Sequence, residues 1–349
     1  MEQKSYVQLL QLILGAKYIM ATAESTPKVS IIVASRNNES TIGQCLQALF
    51  NLDYPKDALE VLVIDGCSTD NTVKIAQSFP AKVISLPLNA AAAYNQAQKI
   101  AQHDILGFVD SDAKVEFDWL KKLVVHLDEP KVAGVSGSIE TWNIENSWAR
   151  SIGYEIKNRY KRIGKYTGRI ATMNLLLKKT AIFEAGGWDE KLPSQYDTDF
   201  GFRLSQLGYK IAYEPAAKCY HYNRPTLKAY WRQQLQYGKN TVKLYFKHRH
   251  LVKGDEITDA GMNIQPILML ACLALFIFGL LPTLRMLWVG SGLILMSMLI
   301  YFIYSAVKIS VKFHDWSALR LIVLYFVRSA AWFVGAVETA IKFFAGRNR

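Results

Sequence analysis

Two carboxylates one residue apart, Asp110 and Asp112, close an apolar run, Ile105-Leu106-Gly107-Phe108-Val109. Acids at the end of a buried strand either cap the turn that follows or hold something cationic. Two other apolar runs end the same way. KVSIIVA leads into Ser35-Arg36-Asn37-Asn38-Glu39, and LEVLVI leads into Asp65-Gly66-Cys67-Ser68-Thr69-Asp70. Any one of these clusters alone reads as turn chemistry, because Asp, Asn, Ser and Gly favour turns and helix starts. All three together make a rim with hydrogen-bond acceptors at several points. No G-x-G-x-x-G follows the first run and no G-x-x-x-x-G-K-[ST] occurs anywhere, so a dinucleotide dehydrogenase or a P-loop NTPase is poorly supported.

The elements that must position this rim alternate. Short β-branched runs at KVSIIVAS, LEVLVIDG, AKVISLP and DILGFVD are separated by segments with helical spacing, such as Ile42, Leu46 and Leu49. Strand and helix in turn predict an open, mostly parallel α/β sheet with helices on both faces, over residues 27–255. Ligands of such sheets bind beyond the C-terminal ends of the strands, which is where the three clusters fall.

The 349 residues are 51% hydrophobic and carry a net charge of +12, which suits an anionic membrane face as well as nucleic acid. No recognised nucleic-acid module accompanies the charge, so no nucleic-acid partner is expected. Cys45, Cys67, Cys219 and Cys272 are scattered without metal-ligand spacing and suggest neither a zinc site nor a disulfide framework. Residues 262–349 read as a membrane region, with uncharged spans at about 264–282 and 286–307. A third apolar stretch, about 319–344, either crosses with Arg328 facing protein or lies along the interface. Lys239, Lys243, Lys247, Arg249 and Lys253 precede the pair of spans, and Lys308 and Lys312 follow it. A hairpin puts both groups on one side, which the positive-inside rule assigns to the cytosol. The basic tail Lys342, Arg347 and Arg349 prefers that side too. Residues 1–26 read as an amphipathic or packing helix rather than as a span.

In order and spacing these motifs resemble the family 2 glycosyltransferases, which have the GT-A nucleotide-sugar-binding fold. The likeness runs from about Val29 to Lys247: Asn38-Glu39, Asp65 to Asp70, Asp110-Ser111-Asp112, Gly186-Gly187-Trp188-Asp189-Glu190, then Tyr196-Asp197-Thr198-Asp199 with Arg203. The resemblance implies a divalent cation, Mg²⁺ or Mn²⁺, with Asp112 as direct ligand and Asp110 nearer the ribose or bridging through water. It implies donor contacts from Ser35, Asn38, Glu39 and Asp65, the last to the nucleobase, although Glu39 serves equally as a plain helix-start acid. It makes Asp197 the general base. His221 alone reads as a packed, hydrogen-bonded histidine, to which the resemblance adds a contact with metal or diphosphate.

Three departures stand out. Tyr196 replaces the acid that usually precedes the base, and the loop at Asn89 to Ala97 lacks the usual phosphate-contacting lysine, a charge that Arg169 or Arg224 would supply instead. No Q-x-x-R-W is present, which favours single-sugar addition over a processive polysaccharide synthase. Asp189 and Trp231 complete the candidates on the acceptor or phosphate side. The implied activity is inverting transfer of one sugar, from a UDP-sugar ahead of a GDP-sugar, to a lipid-linked or saccharide acceptor at the cytosolic membrane face. A catalytically silent scaffold of the same fold is the alternative outside the enzymes.

Overall fold

The central strand β1 (Val29–Ser35) is buried on both faces, as a run of Val, Ile and Ala in a parallel sheet should be. In the computed structural model, which describes residues 26–347, it lies between β2 (Leu59–Asp65) and β4 (Ile105–Phe108), with β3 (Lys82–Ser85) outside β2. All three pairings are parallel. Helices α1 (Ile42–Phe50), α2 (Thr72–Ala76) and α3 (Ala90–Ile100) supply the crossovers. Successive β1 side chains serve opposite cores, as the period of two requires. Ile31 and Val33 join Ile42, Leu46 and Trp119, whereas Ile32 joins Ala91, Tyr94 and Phe108.

The second half of the sheet corrects the expectation of a mostly parallel one. After β5 (Ala113–Val115) and α4 (Trp119–Val124) come β6 (Val132–Thr141), α5 (Ser147–Tyr160), β7 (Tyr166–Thr167), β8 (Leu175–Lys178), α6 (Lys179–Glu184), α7 (Tyr196–Gln206) and β9 (Lys210–His221). The nine strands form one sheet in the order β3-β2-β1-β4-β8-β6-β9-β5, with β7 also on β9. Only β6–β9 is parallel in this half; β4–β8, β6–β8, β5–β9 and β7–β9 run antiparallel. Past β4 the regular strand–helix alternation stops, and antiparallel neighbours need no crossover helix.

Helix α8 (Leu227–Lys247) leads to the apolar part, α9 (Ala260–Phe278), α10 (Leu287–Phe313) and α11 (Leu321–Arg347). Three stretches, Ala260–Phe278, Leu287–Phe313 and Trp316–Phe343, are long and apolar enough to cross a membrane. They differ in what they bury. The first two are 17% buried over their most apolar windows and the third 44%. The excess comes from α8, along which α11 runs in the same direction. Trp332 Nε1 donates to Gln234 Oε1 at 2.9 Å, Thr339 Oγ1 donates to the Lys239 carbonyl at 3.1 Å, and Lys239 pairs with Glu338 at 2.5 Å. Arg328 is buried and paired with Glu155 of α5 at 2.5 Å, so it faces protein. The helix expected over 1–26 lies outside the described residues except for Thr26, as does Arg349.

Candidate active site

Register brings the rim together. Ser35 pairs with Asp65 and Ile32 with Phe108, so the three polar clusters leave the sheet at one edge. The first two are then cross-braced. Asn37, in the left-handed region at φ 53°, accepts from the Thr69 amide at 2.8 Å through its side chain. Glu39 accepts from the Asn71 amide and side chain at 3.0 and 2.9 Å, and Asp70 accepts from the Glu39 amide at 3.2 Å. Glu39 thus holds the start of α2, not of α1, the helix that follows it in the chain. Asn38 Nδ2 donates to Ser111 Oγ at 2.5 Å and ties this edge to the Asp110–Asp112 turn. Asp65, 1% exposed, accepts from the Ser68 amide at 2.9 Å and from the Ser68 hydroxyl. The buried Ser35 hydroxyl finds no partner among the described residues, an orphan that a ligand can satisfy.

Asp110 accepts from the Tyr94 hydroxyl at 3.2 Å and from Thr172 Oγ1 at 3.3 Å. Asp112 lies 3.5 Å from His221 Nε2 and 3.4 Å from Arg224 Nη1, because β5 and β9 pair Ala113 with His221. Burial, with the Asp112 charge beside it, pushes the Asp110 carboxyl up to about 6. Burial also opposes ionisation of Asp112, but His221 and Arg224 outweigh it and hold that carboxyl down to about 2. Burial lowers the His221 pKa while Asp112 raises it, and the carboxylate wins. His221 Nδ1 lies 3.1 Å from Asn223 Oδ1, so the ring is positioned on both sides.

Among the described residues no three His, Cys, Asp or Glu side chains converge as a closed metal cage. Two carboxylates that repel each other, with most of a coordination shell left to diphosphate and water, nonetheless fit a hard divalent ion.

Asp197 occupies the first turn of α7, after Gln195 in the left-handed region at φ 66°. Its carboxylate accepts from the Thr198 amide at 2.7 Å. Burial raises its pKa and the nearby Arg169 opposes the rise. Where an acid would usually precede it, Tyr196 packs against Tyr94 and Trp188, with ring centroids 5.9 and 6.1 Å away. Asp199 has a different job. Fully buried, it meets Arg203 at 2.8 Å, Lys247 at 2.7 Å and His248 at 2.8 Å, anchoring α7 to the end of α8.

A cavity of about 290 Å³ joins these groups, with Asp110, His221, Asp197 and Arg169 in its wall. It reaches Arg328 and Trp332 on α11. Arg169 is paired with Asp255 at 2.6 Å, and Arg224 stands over Asp112. Of the candidates named from the sequence, Asp110, His221, Asp197 and Arg169 line this wall and the others lie off it. Asp189 pairs with Lys247 at 2.9 Å, and Trp231 occupies a face of α8 away from the cavity, which takes Tyr230, Gln234 and Tyr237 instead. The sequence reading missed Tyr94 and Thr172 on Asp110, and Tyr160 near Asp197. Tyr94 had one available signal: it is the lone aromatic residue in the alanine-rich segment Ala90–Ile100.

Residues 30–182 match the family model described as glycosyl transferase family 2. Among curated proteins the chain is 30% identical over 244 residues to the "Probable glycosyltransferase YdaM" of Bacillus subtilis, covering 63% of this chain and 57% of that one. To the beta-monoglucosyldiacylglycerol synthase of Synechocystis it is 27% identical over 237 residues, covering 64% and 49%. The chain therefore spans about half the length of these relatives. Among solved structures, the mannosyltransferase PcManGT of Pyrobaculum calidifontis, in complex with GDP-Man and Mn²⁺, superposes with a TM-score of 0.58 at 19% identity, over 91% of this chain and 88% of that one. That likeness shows a shared GT-A-like fold. The matched segment holds all but the first residue of β1, with β2, β4 and the three polar clusters they carry, so over residues 30–182 the chain is similar to glycosyl transferase family 2.

Proposed function

We propose that this chain transfers a single sugar, with inversion, from a nucleoside-diphosphate donor to a lipid-linked or saccharide acceptor at the cytosolic membrane face. The observation that carries this reading is a cavity that links Asp110 and Asp197 to the apolar helix α11. Asp65 and the Ser35 hydroxyl, unpartnered among the described residues, bind the nucleoside, with Asn38 tying their edge to the Asp110–Asp112 turn. Asp112 and Asp110, with His221 alongside, would hold Mg²⁺ or Mn²⁺, which neutralises charge on the departing diphosphate. Arg224 adds a fixed positive charge at the same place.

On the other side Asp197 takes the proton of the acceptor hydroxyl. The oxygen attacks the anomeric carbon on the face opposite the leaving group. The bond from that carbon to the β-phosphate oxygen breaks, its electron pair stays on the diphosphate, and configuration inverts. The hairpin of α9 and α10 anchors the domain, and α11 lies at the interface against α8 rather than forming a third crossing. The basic flanks set the cytosolic orientation.

The mannosyltransferase of like fold binds GDP-Man and Mn²⁺, which supports the donor class and the cation. The test is a screen of UDP- and GDP-sugars with Mn²⁺ on full-length protein in detergent, following thermal stabilisation and nucleoside-diphosphate release. One donor should raise the unfolding temperature and be turned over only with metal present, since a ligand bound by the native state alone stabilises it. If no donor does either, the chain is a silent member of its family and the proposal fails.

A further inference from the structure

The short segment that carries Asp197 is gripped at both ends by α8 and its cap. Before the base, Asn240 Nδ2 donates to Ser194 Oγ at 2.8 Å, and Gln195 Nε2 donates to Thr241 Oγ1 at 3.3 Å. After it, Asp199 meets Lys247 at 2.7 Å and His248, the residue that caps α8, at 2.8 Å. Asn240 and His248 stand about 12 Å apart along the helix axis and bracket residues 194–199. Between them Gln195 is held at φ 66°. A residue with a Cβ keeps that conformation only where its neighbours over-determine it.

His248 is 4% exposed, and its Nδ1 finds no partner among the described residues. A half-satisfied buried ring costs stability. Asp199 does not need it for charge, since Arg203 and Lys247 already face the carboxylate. What the ring adds is direction. Arg203 belongs to α7 itself, and Lys247 has a long flexible stem that it shares with Asp189 at 2.9 Å. His248 is short and stiff, and its ring lies 6.0 Å from that of Phe202 on α7. Asn240, 1% exposed, fixes Ser194 in the same way while its amide also donates to the Gln236 carbonyl of its own helix at 3.1 Å.

The helix that holds this segment also walls the cavity, through Tyr230, Gln233, Gln234, Tyr237 and Thr241. A base takes a hydroxyl proton only within hydrogen-bond reach, so its distance from that wall matters. We infer that Asn240 and His248 are positioning residues. Acting through Ser194 and Asp199, they hold the Asp197 carboxylate in register with an acceptor lying along α8. This rests on the glycosyl-transfer reading and adds to it the element that aligns base and acceptor. Since α11 grips the same helix at Gln234 and Lys239, the alignment extends to the membrane-side helix.

The test measures nucleoside-diphosphate release by full-length protein in octyl glucoside, whose sugar hydroxyls serve as acceptor. Mn²⁺ is present with whichever of a panel of UDP- and GDP-sugars the wild type turns over, and donor binding is read separately by thermal unfolding. His248→Ala and Asn240→Ala should each lower kcat about tenfold to a hundredfold, the scale of an ångström-sized misplacement, while donor stabilisation stays at the wild-type value. His248→Gln, which keeps an N–H to offer Asp199, should regain part of the loss. In the Asp197→Asn background either alanine should cost nothing further, because the group it positions is gone. Unchanged kcat in the alanine variants overturns the inference. So does donor stabilisation that falls together with kcat, which marks general damage, and so does an undiminished loss in the Asp197→Asn background. Should one alanine variant not fold, the other decides. A wild type that turns over no donor sinks the glycosyl-transfer reading and this inference with it, whereas wild-type turnover with any of the three overturning results sinks this one alone.

Discussion

Asp197 accepts a proton only when ionised, so turnover should rise with pH through its pKa. Burial lifts that pKa above the ordinary carboxylate value and Arg169 restrains it, so the acid limb of kcat/KM should lie above about pH 3.9. Arg169→Gln removes the restraint and should move the limb to higher pH. In Asp197→Asn the limb should vanish, and kcat at saturating donor and acceptor should fall by about 10²–10⁴ while donor binding survives. A variant that keeps its turnover but binds acceptor weakly would make Asp197 a binding residue. Asp112→Ala should abolish most transfer and most Mn²⁺-dependent donor stabilisation while the ligand-free protein still folds, with some loss of unfolding temperature from the unpaired His221. Activity that persists in metal-depleted buffer would contradict this. At this scale the sequence was informative where motif order could be matched, as for Asp110, Asp112 and Asp197. It was silent on the partners of these side chains. Nothing near Glu39 in the chain announces that its carboxylate is held by Asn71, and nothing near Asp110 points to Thr172, 62 positions away.

Among the elements, α11 owes its close approach to α8 to small residues. A Cβ at Gly238 of α8 would stand 2.6 Å from Trp332 Cα, and one at Gly335 of α11 would stand 2.6 Å from the Leu235 carbonyl oxygen. Gly238→Ala must therefore push the two helices apart, at a cost of about 1–3 kcal/mol read by thermal unfolding. Gly292→Ala on α10, where nothing lies within 4 Å, is the control and should change little. Equal effects would mean that the α8–α11 contact is not tight in solution. The helix spacing of Ile42, Leu46 and Leu49 was legible because it repeats every turn, and all three are buried as that spacing requires. The pairing of β8 with β4 and β6 was not. LLLK is too short to carry a period, and its place is set by strands far away in the chain.

For the whole molecule the decisive measurement is sidedness. Reporters at Lys253 and Lys308 flank the α9–α10 hairpin and should be accessible from the same face of the membrane, the cytosolic one. Opposite faces would refute the hairpin. A reporter at Lys342 should match them too, since α11 is proposed to lie at the interface, and the opposite face would make it a third crossing. By itself the sequence determined that there is an α/β domain with polar clusters at its strand ends, followed by apolar helices, while the nucleotide-sugar reading rested on the resemblance of its motifs to a known family. Both follow from signals between near neighbours: β-branched runs ending in Asp and Ser, and uncharged stretches of bilayer length. Only the tertiary structure decided that half the sheet is antiparallel, that α11 is docked on α8, and that Arg328 is paired with a carboxylate. The reason is physical. Pairing energies act between groups brought within a few ångströms by the fold, and Arg328 meets Glu155 across 173 positions of chain.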